Sequence, residues 1–165
     1  HRLSSAASDV YKRQQYNQQV YNMKISIASD HAGFELKNHL ISSFSASHTF
    51  IDSGPSSNSS VDYPDYAHKA VSEYKKKKCD RIILICGSGN GIQMSANKHK
   101  DIRCALCWTN EITEMARLHN DANALALPAR FISFPVAIKI VNTFINTPFE
   151  GGRHKKRILK INGNQ

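Results

Sequence analysis

Two periods of apolar and polar residues alternate along the chain. Short apolar runs at Lys24 to Ala28, His48 to Asp52, Arg81 to Cys86, Arg103 to Trp108 and Ala124 to Leu127 have the length of strands. Stretches with helical spacing follow them in turn: Phe34 to Ser43, Pro64 to Lys76, Ile92 to Lys98, Glu111 to His119 and Phe134 to Asn146. A last basic segment, Gly151 to Asn162, predicts one more helix. Ile82 to Ile85 is continuously aliphatic, the mark of a strand covered on both faces. Strands alternating with helices at this spacing imply βαβ units and a parallel sheet with helices on both sides. The expected fold is therefore α/β, a three-layer αβα, doubly wound five-stranded parallel sheet of the Rossmann or flavodoxin type, closed by a C-terminal helix. One long loop, Ser53 to Asp62, is rich in serine, and long loops in compact domains are often functional.

Composition narrows the class. The chain has 165 residues, 41% hydrophobic and 21% charged, which suits one soluble globular domain, and no apolar run nears the roughly 18 residues of a membrane helix. Residues 1–22 are polar, rich in Gln, Ser and Tyr, and lack the apolar core of a secretory signal. They read as a non-native or disordered leader before a domain at 23–162, although Arg2, Lys12 and Arg13 against Asp9 also fit an organellar presequence. Cys79, Cys86, Cys104 and Cys107 lack the spacing of a secreted disulfide scaffold, so reduced thiols in a cytoplasmic protein are expected. Cys104 and Cys107 form a C-x-x-C inside a strand-like run with no second pair, which reads as core; no metal is expected. The net charge of +9 is dispersed or local: Lys75 to Lys78 closes a helix and Arg153 to Arg157 forms a second cluster. Neither is interleaved with aromatic residues, so neither nucleic acid nor membrane is the expected partner.

Chemistry concentrates where the winding of the sheet reverses. In the flavodoxin order ligands bind beyond the carboxyl ends of the first and third strands. The loop after the first strand is Ser29-Asp30-His31-Ala32-Gly33, and the third strand delivers Cys86 into Gly87-Ser88-Gly89-Asn90-Gly91. An isolated free cysteine is ordinarily a small buried apolar residue. Here a carboxylate, an imidazole and a thiol would surround one turn whose N–H groups bind anions, and such donors favour a thiolate. The turn lacks the G-x-G-x-x-G order of a dinucleotide site and the Gly-Lys-Ser/Thr ending of a nucleotide loop, so neither nicotinamide nor ATP is expected. It suits a small anion, or an oxygen that becomes negative during reaction. Taken singly, Asp30 reads as a helix cap and His119 as a favourable charge at a helix end. Arg153 and Arg157, one turn apart, form a phosphate fork or a solvated face, and Arg130 follows the fifth strand.

Six separated segments carry a resemblance. They are Ser29 to Lys37, Asp62-Tyr63-Pro64-Asp65-Tyr66-Ala67, Cys86 to Gly91, Ala96-Asn97-Lys98, His119-Asn120-Asp121-Ala122-Asn123 and Glu150-Gly151-Gly152-Arg153-His154. Together, from about Met23 to Asn162 and in the same order, they resemble the type B ribose-5-phosphate isomerases, a family that includes the galactose-6-phosphate isomerase subunits. The resemblance implies aldose–ketose isomerisation of a sugar phosphate through a cis-enediolate, without metal or organic cofactor. Cys86 would be the general base between C2 and C1, and the N–H groups of Gly87, Gly89, Asn90 and Gly91 would hold the enediolate oxygen. Ser88, at a position often Thr, would bond the substrate. His119, with Asp30 as the other candidate, would move the proton that opens the furanose ring. Tyr63 and Asn120 would orient hydroxyls, and His31, Arg130, Arg153 and Arg157 would grip the phosphate. One branch of the family carries a glutamate base just after the turn; Ile92 occupies that position here, which places the chain in the cysteine branch. Homodimers or homotetramers with sites shared between subunits are implied. Two alternatives accompany this reading: a hexose 6-phosphate such as allose or galactose 6-phosphate as substrate, and a non-catalytic binding subunit on the same fold.

Overall fold

The structure, a computed structural model, describes residues 22–163; the expectation for the leader lies almost wholly outside the described residues. Five strands, β1 (Lys24–Ser29), β2 (Thr49–Asp52), β3 (Arg81–Cys86), β4 (Cys104–Leu106) and β5 (Ala124–Pro128), form one all-parallel sheet in the order β2-β1-β3-β5-β4. Helices α1 (Phe34–Phe44), α2 (Tyr63–Lys75), α3 (Asn90–Ala96), α4 (Asn110–Asn120) and α5 (Phe134–Asn146) follow the strands in turn, and α6 (Arg153–Ile158) ends the described chain. The expected αβα layering is therefore present. Beyond the switch point the order exchanges the last two strands of a simple flavodoxin sheet. β5 is buried at all five positions and sits inside, whereas β4 has only three residues, two of them half-buried, and forms the edge. Asn97 covers that edge, its side chain donating to the Cys104 carbonyl at 2.9 Å and accepting from the Cys104 N–H at 2.8 Å. The last helix is shorter than its basic run, since Gly151 and Gly152 enter it at φ +73° and +54°.

The period of two along β3 sorts its side chains into two cores. Ile83 and Ile85 face α1 and α5 with Leu36, Leu40, Val141 and Phe144. Ile82, Leu84 and Cys86 face α2 and α3 with Ala67, Ala70, Val71 and Ile92. Cys104 and Cys107, three residues apart, fall in opposite cores, so they cannot ligate one ion. The lysine run ends α2 in solvent, with Lys78 paired to Glu73 at 3.1 Å. Among the described residues no helix is long and apolar enough to cross a membrane.

A buried lysine ties the long loop to this frame. Lys37 is completely enclosed; its Nζ donates to both Asp52 oxygens at 2.6 Å and to the Pro55 carbonyl at 3.0 Å. Replacing it with methionine keeps the bulk and strands those acceptors. Lys37→Met is expected to lower unfolding free energy by about 1–3 kcal/mol, read from urea unfolding; an unchanged midpoint would show that water replaces the ammonium at no loss.

Acid acts on two other side chains. Burial pulls the His48 imidazole below its ordinary 6.5, where Nδ1 accepts the Met23 N–H at 3.3 Å. Burial, then Lys75 and His68, pull His99 down as well. Both rings take up protons more readily in the unfolded chain, so their share of stability is present above about pH 6.5 and is lost on acidification. The melting temperature is expected to fall between about pH 7 and pH 5, and less steeply in a His48→Gln, His99→Gln double variant.

Candidate active site

The parallel register brings the ends of β1, β3 and β5 together. Ser29 pairs with Ile85 and Cys86 with Pro128, and the Asp30 N–H donates to the Ile85 carbonyl at 3.0 Å. Cys86 therefore stands between Asp30 on one side and the Pro128-to-Arg130 turn on the other. Asp30 is 7% exposed and its Oδ1 caps the Gly33 N–H at 3.0 Å, fixing the carboxylate at the start of α1. Gly33 must be glycine, because a Cβ there would lie 2.7 Å from Ile85.

Cys86 is 4% exposed, and its Sγ accepts the Gly89 N–H at 3.2 Å. The sulfur is the acceptor in that contact. Gly89 makes it at φ +76°, a left-handed conformation costly for other residues, and a Cβ there would also press on Leu127. Ser88 Oγ lies 3.4 Å from both the backbone and side-chain nitrogens of Asn90. Among the described residues no backbone carbonyl takes the N–H of Gly87, Ser88 or Gly91, so three donors are left to a ligand. Tyr63, at the start of α2, lays its ring on Gly91, where a Cβ would meet the hydroxyl at 2.7 Å. Arg130 lies over Gly87, with the Arg130 N–H donating to the Gly87 carbonyl at 3.0 Å. His31 Nδ1 accepts the Val61 N–H at 3.4 Å, joining the long loop to the rim. Asp30, His31, Tyr63, Cys86 to Gly91 and Arg130 thus share one end of the sheet.

His119, Asn120, Arg153 and Arg157 do not join them. α4 runs back from the carboxyl edge, so its last residues lie at the opposite edge, and the Asn120 carbonyl accepts from Arg103 just before β4. Four strand steps, from Ala124 to Pro128, separate the two edges by about 13 Å. Buried Arg117 clamps this corner. Its guanidinium donates to the Ala122 carbonyl at 2.6 Å, to Asp121 at 2.9 Å and to the Thr147 carbonyl at 3.0 Å. Asp121, at φ +44°, also receives Arg103 at 3.2 Å. The clamp brings Glu150 beside the helix end, its N–H on the Leu118 carbonyl at 3.0 Å. Glu150 Oε2 stands 3.7 Å from His119 Nε2 and 3.6 Å from His154 Nε2, and the two imidazoles stack at 4.3 Å. Burial first, then His119, Arg153 and Arg157, pull His154 below its ordinary value against the pull of Glu150. Arg153 and Arg157 are exposed on α6 and line a shallow basic groove with Lys156 and Lys160.

Residues 25–161 match the family model described as Ribose/Galactose Isomerase. The chain belongs to that family. The isomerase is 46% identical to a ribose 5-phosphate isomerase from Thermotoga maritima of known crystal structure, with a TM-score of 0.83 over 86% of this chain and 98% of that one. A ribose-5-phosphate isomerase B from Mycoplasma genitalium, solved with bound ribulose-5-phosphate, is 41% identical with a TM-score of 0.80, covering 84% and 93% of the two chains. Ribose-5-phosphate isomerase B of Escherichia coli is 36% identical over 139 residues, 84% of this chain and 93% of that protein.

Three features of the isomerase escape a reading of its sequence. Arg117 and Asp121 carry a helical i,i+4 spacing that signals an ion pair but not its burial. Glu150 and His154 have the same spacing, and nothing in the sequence joins them to His119. Lys37 reads as a solvated helix residue and is enclosed.

Proposed function

We propose that the isomerase interconverts ribose 5-phosphate and ribulose 5-phosphate through a cis-enediolate, with Cys86 as the general base and no cofactor. The observation that carries this reading is the Cys86 sulfur at the sheet's switch point, held by the Gly89 N–H beside Asp30 and next to three unclaimed N–H donors. The Cys86 thiolate takes the proton from C2 of the open-chain aldose. The electron pair moves toward C1 and leaves negative charge on the C1 oxygen, which the free N–H groups of the turn stabilise by a few kcal/mol per donor. The thiol returns its proton to C1, and a proton passes from the C2 hydroxyl to the C1 oxygen, leaving the ketose. Ser88 and Tyr63 orient hydroxyls at this end of the sheet, and His31 and Arg130 meet the phosphate.

Ring opening needs a group that gives a proton to the ring oxygen while the C1 hydroxyl loses one. Asp30 is within the site. His119 is about 13 Å away along the strands and serves only a site on another copy, as do Asn120, Arg153 and Arg157. A homodimer in which each site draws on both chains accommodates every residue in its role.

A second reading has support in the breadth of the family, whose description covers galactose as well as ribose. A hexose 6-phosphate would use the same chemistry in a longer pocket, and a methylene-sized difference discriminates by only about 1–3 kcal/mol. Turnover of allose and galactose 6-phosphates and of ribose 5-phosphate by the intact protein decides between them. Pentose turnover exceeding hexose turnover is expected; hexose-only turnover would change the substrate and keep the mechanism, and silence on all would indicate a binding subunit.

A further inference from the structure

We propose that His119, Glu150 and His154 form a binding site for one divalent transition-metal ion of the zinc class. The three donor atoms lie within 4.8 Å of one another. Their separations of 3.6 and 3.7 Å about the Glu150 oxygen are too long for hydrogen bonds. They are close to the spacing of about 3.4 Å between ligands of a tetrahedral zinc ion at 2.0–2.1 Å. The two rings are stacked 12° from parallel, so both side chains must turn by some tens of degrees for their Nε2 lone pairs to meet on one ion and, with Glu150, fill three corners of a tetrahedron.

An independent observation marks the same spot. His154 is 5% exposed, and its Nε2 is buried without a hydrogen-bond partner among the described residues. An orphaned ring nitrogen facing a carboxylate and a second imidazole is a cost to the fold that a cation removes. The frame holding the donors is stiff: Arg117 and Asp121 clamp the end of α4, and the Glu150 N–H is fixed on Leu118. Glu150 and His119 remain open to solvent, so an ion has a path in.

Two imidazoles and one carboxylate suit zinc, nickel or copper rather than the oxygen-seeking calcium or magnesium. Arg153 and Arg157 weaken the site for a bare cation, and they favour an anionic oxygen as the fourth ligand. An ion on His119 withdraws that imidazole from proton exchange. Inhibition by zinc, reversed by a chelator, follows from the part given to His119 above, and that consequence rests on the proposed reaction.

The test titrates Zn²⁺ calorimetrically into the intact, chelator-treated protein. Saturable binding is expected in wild type and, unchanged, in Cys86→Ala. Glu150→Gln and His154→Gln should each bind at least about 100-fold more weakly. Glu150 is exposed, so Glu150→Gln keeps the test valid if the His154 variant folds poorly. Co²⁺ should give the visible bands of a tetrahedral nitrogen–oxygen site without thiolate charge transfer. Absence of saturable binding, or binding lost in Cys86→Ala and kept in Glu150→Gln, would overturn the site. Saturable binding that leaves turnover untouched would uphold the metal site and remove His119 from the reaction.

Discussion

Cys86→Ala should leave the isomerase folded and lower its turnover of ribose 5-phosphate by about 10²–10⁴-fold, the usual contribution of a positioned general base. In the proposed mechanism the sulfur meets the reacting carbons and the phosphate is gripped elsewhere, so the loss should fall on kcat. No carboxylate stands in for it within the turn: Ile92, where the other branch of the family carries its base, is fully buried in the α2–α3 core. Alanine removes one heavy atom, the sulfur, from a side chain already buried, so the melting temperature should change little. Turnover near that of wild type would exclude Cys86 as the base, and a rise in KM alone would make the thiol a binding group.

Combining two dead variants should restore activity. Cys86→Ala chains retain His119, and His119→Ala chains retain Cys86. If each site takes the turn from one chain and the α4 corner from another, a mixed dimer holds one intact site of its two. Random pairing of co-expressed chains then recovers about one quarter of wild-type turnover, whereas sites built within single chains recover none. The strand length of about 13 Å between the two edges of the sheet makes this an outcome of topology, since His119 and Cys86 of one chain lie at opposite edges.

That separation was open to inference before any coordinates. A helix joining two parallel strands runs back against them, so a residue at the end of α4 belongs at the amino edge of the sheet, opposite Cys86. His119 and Cys86 can share a motif set without sharing an end. The strands and helices were legible because Ile82 to Ile85 and Ala124 to Leu127 are continuous apolar runs, and because helical spacing in 64–76 and 134–146 is unbroken. Inversion of β4 and β5 was not, since both are short apolar runs and only the full burial of β5 shows which lies inside. Arg117 and Lys37 were illegible for a related reason. Local pattern assigns long cations to solvent, and only tertiary partners such as Ala122, Thr147, Asp52 and Pro55 reveal them as buried anchors.

The turn after β3 is where local and global constraints agree. Gly89, whose N–H meets the sulfur, is required by a left-handed φ and by the approach of Leu127, while Gly91 is required by the Tyr63 ring. Such agreement at one point, with N–H groups left free, is what a site for a developing oxyanion needs.

The most direct test of the central claim is a parallel assay of ribose 5-phosphate conversion by wild type and Cys86→Ala, with ribulose 5-phosphate followed by proton NMR and the fold of both proteins checked by circular dichroism. The account predicts rapid formation of ribulose 5-phosphate by wild type and a loss of at least about 100-fold in an equally folded variant. Comparable rates from the two proteins would contradict it.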